Sequence, residues 1–272
     1  MLIREHISTP GAIRGVAGLL AVTLLASLGV SPMCAAQAVQ PREALEDAKL
    51  YFTAPLRWDQ GDWLEFGGTL VALGIAHQYD DNIRTHFADD SADALSGSAS
   101  NGTEDALPAA VLVAGTWLLA GVLDDANGYR ELGSMLEATV LSAASTEILK
   151  YSLGRERPYD TADPDKWFHS GDSFPSLHVS AAFAIGTVFA ESGNDKYRWA
   201  RRILGYGVGA ATAYLRVDHN AHWTSDVVAG AALGLATARF TMNRRENADV
   251  HSSAMLVPMD RGLMLTFAVP LD

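Results

Sequence analysis

Six stretches of this sequence are rich in Ala, Leu, Val and Gly: Phe66–Ala76, Leu107–Leu123, Leu132–Leu149, Leu177–Ala190, Ile203–Leu215 and Val227–Ala238. None shows the period-two alternation of a half-buried strand, and Ala and Leu outnumber β-branched residues, so each is expected to be a helix. Helices this apolar bury their surfaces by packing on one another. The chain is therefore expected to be all-α, a bundle with a six-helix core. At 272 residues and 49% hydrophobic, it has ample material for that core, and disorder is not the default.

The ends read differently. Arg4 and Arg14 open a basic start, Val16 to Val30 is an uncharged, largely apolar run, and Ala36-Gln37-Ala38 offers a small-residue cleavage site. This is the pattern of a signal peptide over residues 1–38, too short in its apolar part for a spanning helix of about 20 residues. The single cysteine, Cys34, falls inside it, which leaves the remainder without a thiol or disulfide. Residues 39–250 are expected to form the helical domain, with a peripheral polar entry from Val39 to Gln60. Residues 251–272, with "AMLV" and "LMLTFAV" around a Pro-Met-Asp-Arg-Gly turn, read as a C-terminal β-hairpin extension.

Two linkers separate the helices. Asp80 to Asp105 is acidic and rich in Ser and Gly, a solvated connection without the spacing of a calcium loop. Gly154 to Ser173 is rich in Pro and Asp. Only Leu107–Leu123 approaches spanning length without a charge, so the reading favours a soluble or peripheral bundle in the bacterial periplasm over an integral one. Membrane contact and oligomeric state stay open. Gly230 and Gly234 form a G-x-x-x-G step that suits tight helix packing in either setting. The net charge of -12, one unit more negative once the leader is removed, argues against a nucleic-acid partner.

Three places interrupt the apolar pattern with groups that bury badly. The first is "KYSLGRERPYD", where Lys150 ends a helix, Gly154 can break it, and Arg155, Arg157 and Pro158 follow. Cations there also complement a helix dipole with no further role. The second is "DSFPSLHVSAAFA": Pro175 and Ser176 suit a helix start, and Ser176 could serve as a cap, but a cap does not explain His178. A helix N-terminus binds phosphate well, and His178 would stand beside the anion. The third is "LRVDHNAHWTSDVVAG", which spaces Arg216, His222 and Asp226 by six and four. That spacing allows Asp226 to take the Nδ1 proton of His222 and leave Nε2 free as a nucleophile. A metal cluster of Asp218, His219, His222 and Asp226 is the alternative, disfavoured by Arg216 beside it and by the lack of Cys or Glu.

Together these places resemble the signature of the type 2 phosphatidic acid phosphatase superfamily, which includes bacterial acid phosphatases and vanadium haloperoxidases. Lys150 with Arg157-Pro158 is similar to its first motif. Pro175-Ser176-Leu177-His178 matches the second but for Leu177 in place of glycine. Arg216, His222 and Asp226 match the third, with Leu215 in place of serine. The resemblance implies that Lys150, Arg157, Ser176, Leu177 through its backbone N–H, and Arg216 hold a phosphate. It implies that His222 attacks phosphorus to give a phosphohistidine, that His178 is the proton donor and later the base, and that Asp226 orients His222. Arg155 and His219 are read as surface groups.

The expected activity is that of a phosphoric monoester hydrolase, without metal or cofactor, acting on a phosphorylated small molecule or a lipid (di)phosphate. Vanadate is expected to occupy the phosphate site, since three fixed cations suit either oxyanion. A vanadate-dependent haloperoxidase and a noncatalytic envelope scaffold are the competing readings. The first lacks spare sequence for a halide site, and the second has no use for His178, His222 and Asp226.

Overall fold

The structure, a computed structural model, describes residues 41–90, 103–123, 126–192 and 197–251. The leader expected over residues 1–38 lies outside them. Two further backbone stretches, 254–259 and 262–267, run antiparallel to each other; the C-terminal hairpin extension, with its place against the domain, stays an expectation. Among the described residues the fold is all-α with eight helices: α1 (Pro41–Phe52), α2 (Gln60–Gln78), α3 (Asp80–Asp90), α4 (Thr103–Leu123), α5 (Ala126–Leu153), α6 (Leu177–Glu191), α7 (Arg198–Asp218) and α8 (Thr224–His251). Each of the six apolar stretches lies within one of α2 and α4 to α8.

The two additional helices, α1 and α3, correct the sequence reading. Val39 to Gln60 is not merely a polar entry, because Pro41–Phe52 is helical and Asp47 on it is 8% exposed, bonded to Arg244 of α8 at 2.8 Å. Asp80–Asp90 is helical too, and Asp80 at its start is 1% exposed. The acidic stretch therefore begins as structure, not as solvated linker. A carboxylate so deeply buried needs a counter-charge, and it has one.

Helix α6 is the centre of the packing, in contact with α4, α5, α7 and α8. Val179, Ala184, Val188 and Ala190 on it are fully buried. Gly230 and Gly234 lie against its backbone. A Cβ at Gly230 would stand 2.7 Å from the Ser176 carbonyl oxygen, and one at Gly234 would stand 2.3 Å from that of Ser180. The G-x-x-x-G step thus brings the start of α8 onto the start of α6 at backbone distance, closed by the Ser176 N–H donating to the Asp226 carbonyl at 3.1 Å. Two of the three polar places meet there.

The third arrives through a turn. Gly154 sits at φ +51, a left-handed conformation that glycine adopts without steric cost, and its N–H caps α5 by donating to the Lys150 carbonyl at 2.9 Å. The chain reverses there and carries Arg155 and Arg157 back toward α8.

Helix α2 buries no residue fully and exposes Trp63, Leu64, Leu70, Val71 and Ile75, while α4 exposes Leu107, Val111, Leu118 and Leu119. Among the described residues no helix is long and apolar enough to cross a membrane.

Candidate active site

Lys150 lies in the last turn of α5 and is 6% exposed. Burial, and next the Arg157 charge, pull its ammonium down to about 8. Arg157 is half-buried. Its Nε and Nη2 donate to the two carboxylate oxygens of Asp172 at 2.6 and 2.8 Å, and its Nη1 reaches the Ala221 carbonyl, next to His222, at 3.5 Å. Burial lowers the Arg157 pKa, but the Asp172 hydrogen bonds outweigh it and hold the guanidinium charged. Asp172 is correspondingly shifted down; burial opposes ionisation, and the bonds from Arg157 prevail. The same fork that fixes Arg157 also occupies two of its three nitrogens.

Ser176 does not cap α6 with its side chain. Its Oγ is buried and has no hydrogen-bond partner. A buried hydroxyl left unpaired at a helix N-terminus is costly in a resting protein and suits an anion that would accept from it. Leu177, the first helical residue, is 5% exposed with ordinary helical backbone. His178 is half-buried on the first turn of α6.

Arg216 lies in the last turn of α7, 4% exposed, and its carbonyl accepts from the N–H groups of Ala221 and His222 at 3.1 and 3.2 Å. His222 is 2% exposed. Burial first, then Arg157, Arg216, Lys150 and His178, push its imidazole well below the usual histidine range. The ring is neutral at physiological pH and lies in the field of Lys150 and Arg157 from one stretch of chain and Arg216 from another. The structure thus brings Lys150, Arg157, Ser176, His178, Arg216 and His222 into one constellation.

Asp226 is the third residue of α8 and reaches back to accept the Trp223 N–H at 2.9 Å, half of a capping box. The same Oδ2 accepts the Ser173 hydroxyl at 2.5 Å. His222 Nδ1 stands 3.6 Å from it and has no hydrogen-bond partner. The expected Asp226–His222 hydrogen bond is therefore not made, although the two groups are neighbours.

Arg155 was read as a surface cation; it is fully buried. Its Nη1 donates to Asp226 Oδ1 at 2.6 Å and to Ser225 Oγ at 2.7 Å. Its Nη2 donates to Asp80 Oδ2 at 2.7 Å and to the Pro164 carbonyl at 2.8 Å, and its Nε to that same carbonyl at 3.1 Å. The guanidinium lies 4.4 Å from the ring centroid of Trp167 and 5.2 Å from that of Trp223. His219, by contrast, closes α7 and is half-buried. Among the described residues no group of three or more His, Cys, Asp or Glu could hold a metal ion, so the Asp218/His219/His222/Asp226 alternative has no geometry behind it.

Residues 131–249, which contain every member of this constellation, match the family model of the PAP2 superfamily. The family resemblance read from the motifs holds over that segment. In sequence the chain is 35% identical to the Lipid A 1-phosphatase of Porphyromonas gingivalis over 114 residues, 42% of this chain. That match spans only 21% of the relative's own length. No solved structure matches this chain.

Proposed function

We propose that the protein is a phosphatase of the PAP2 type that hydrolyses a phosphorylated lipid, or a simpler phosphate monoester, through a phosphohistidine and without a metal. The observation that carries this reading is the buried, unpartnered Ser176 Oγ at the N-terminus of α6, in a site that also holds the cations Lys150, Arg157 and Arg216 around His222. Such a site is electrostatically incomplete until an anion arrives, and phosphoryl transfer is chiefly positioning and charge stabilisation.

Lys150, Arg157, Arg216, Ser176 and the Leu177 N–H hold the non-reacting phosphoryl oxygens. Neutral His222 attacks phosphorus through Nε2 as the bond to the ester oxygen breaks, and that oxygen takes its proton from His178. His178 then takes a proton from water. The resulting hydroxide attacks phosphorus, the P–N bond breaks, and inorganic phosphate leaves with His222 neutral again. Asp226 faces Nδ1 and stabilises the positive charge the ring acquires while it carries the phosphoryl group.

A lipid substrate is favoured by the apolar side chains exposed along α2 and α4, which give acyl chains a surface to lie on. It is also in keeping with the Lipid A 1-phosphatase name of the Porphyromonas relative. Export by the residue 1–38 leader belongs to the same reading and requires a mature N-terminus near Val39.

The test is phosphate release by purified protein from p-nitrophenyl phosphate and from a detergent-dispersed lipid phosphate, with EDTA present. Release from both, inhibited by vanadate, is the expected result. Loss on chelation with recovery on adding zinc or magnesium would overturn the metal-free mechanism, and vanadate-dependent bromide oxidation by peroxide would replace the phosphatase with a haloperoxidase.

A further inference from the structure

Buried ion pairs seldom add stability over an apolar alternative, so a fully buried arginine whose every donor is engaged asks for another reason. Arg155 has five N–H bonds to give, and Asp226, Ser225, Asp80 and Pro164 take them all. Asp80 is equally committed: its Oδ1 accepts the Ser225 N–H at 2.8 Å, and its Oδ2 accepts the Ser225 hydroxyl at 2.6 Å as well as Arg155. The chain of contacts runs from α3, through Arg155, to the carboxylate that faces His222. We propose that Arg155 and Asp80 are positioning residues for catalysis, Arg155 clamping Asp226 in its ionised form beside His222 and Asp80 balancing Arg155 so that it does not draw Asp226 away. This deepens the phosphatase reading and rests on it for its kinetic test.

The charge accounting supports the assignment. Burial raises the Asp226 pKa, and Arg155 is the chief opposing influence, with the Ser173 and Trp223 bonds behind it. Losing Arg155 would let the carboxyl protonate, and a neutral acid cannot stabilise a charged His222. Losing Asp80 alone would leave Arg155 with Asp226 as its one remaining full counter-charge, and the carboxylate would be held more tightly ionised and farther from the ring. The other charged groups near Asp226 are Lys150 and Arg157 on the phosphate side and His222 itself, with His77 Nδ1 reaching the cluster at 2.9 Å from Asp80 Oδ2 and 3.2 Å from Arg155 Nη2. None of these is altered in the variants below.

Two variants separate positioning from mere structure. Asp80→Asn removes one charge at constant shape. The double variant Asp80→Asn/Arg155→Met removes the buried pair together, so that neither of the two is stranded and Asp226 is the one carboxyl left to protonate. Using p-nitrophenyl phosphate, kcat and KM are measured against pH, with melting by circular dichroism to count folded protein. Each variant is expected to lose about tenfold to a hundredfold in kcat, as loss of an outer-shell partner does, with KM little changed. The acid limb of kcat should move in opposite directions, down by about one pH unit in Asp80→Asn and up by about one in the double variant, the low end of what one nearby charge does. An unmoved limb in both, or a double variant with wild-type kcat per folded molecule, would overturn the proposal. A wild-type protein that hydrolyses neither ester would instead remove the phosphatase reading. The Asp226 carboxyl, followed by carbon NMR in the same proteins, would still decide the clamp by the same two displacements.

Discussion

Asp226 Oδ2 lies 3.6 Å from His222 Nδ1 and only 2.5 Å from the Ser173 hydroxyl. The serine holds the hydrogen bond that the histidine would need. It also lowers the pKa of a carboxyl that burial pushes up. The variant Ser173→Ala should therefore release Oδ2 toward His222 and raise the Asp226 pKa. Its kcat–pH profile is expected to show an acid limb at higher pH than wild type, with kcat on the plateau retained to within about tenfold. A limb displaced to lower pH would contradict the assignment.

The proposed reaction gives the two histidines of the site different tasks, and leaving groups can tell them apart. Replacement His222→Ala should abolish turnover of every ester, with no trapped phosphoenzyme. Replacement His178→Ala should cost about a hundredfold more on an alkyl phosphate than on p-nitrophenyl phosphate, whose aryl oxide hardly needs a proton. Single-turnover phosphoenzyme formation is the measurement, because His178 serves both half-reactions. Equal losses on the two esters would remove His178 from the acid role.

Lys150 gives a pH signature of opposite sign for folding and for binding. Its folded pKa, about 8, lies below the ordinary lysine value of about 10.4, so between those limits the unfolded chain binds more protons. The anion-free protein should gain stability as pH rises through that window, since the burial penalty on the charged ammonium falls away. Vanadate affinity should fall over the same range, as one of three cations is lost. In Asp172→Asn the fall should begin at lower pH, because Asp172 is among the carboxylates that hold Lys150 up. Calorimetric titration from pH 7 to pH 10 checks both.

Leu177 departs from the family glycine, yet its backbone requires none of glycine's freedom and its side chain is buried. The variant Leu177→Gly should destabilise the fold by about 2 to 5 kcal/mol, the range for deleting a buried leucine side chain. The N–H proposed to face the phosphate persists, so kcat per folded molecule should stay near wild type. Chemical denaturation and active-site titration measure the two quantities separately.

Much of the constellation was legible because its members lie in short, spaced clusters. Lys150 to Arg157, Ser176 to His178 and Arg216 to Asp226 each show in one glance at the chain. The supporting residues did not show, for a reason that is physical. Arg155 and Asp80 are 75 positions apart, and each explains the other: alone, an arginine in a Pro/Asp-rich linker and an aspartate opening an acidic stretch both look solvated. The helix over Asp80–Asp90 was missed on the same ground, since its acidic sequence has too few apolar residues to reveal a buried start. Ser173 was hidden differently. It stood inside the quoted motif, but nothing local says that a serine three residues before Ser176 would contact a carboxylate 53 positions on. Six apolar stretches were enough to predict helices, whereas α1 and α3, held partly by ion pairs, carry no such pattern.

The segment matched by the family model begins at residue 131, and Asp80 precedes it. A fragment cut at the similarity boundary would keep Arg155 and leave behind the carboxylate that neutralises it. Such a piece would contain every side chain proposed to react and still leave Arg155 with Asp226 as its one full counter-charge. For anyone trimming, grafting or swapping this catalytic unit, the electrical border of the domain therefore lies at least fifty residues upstream of its sequence border, and the cut belongs ahead of α2.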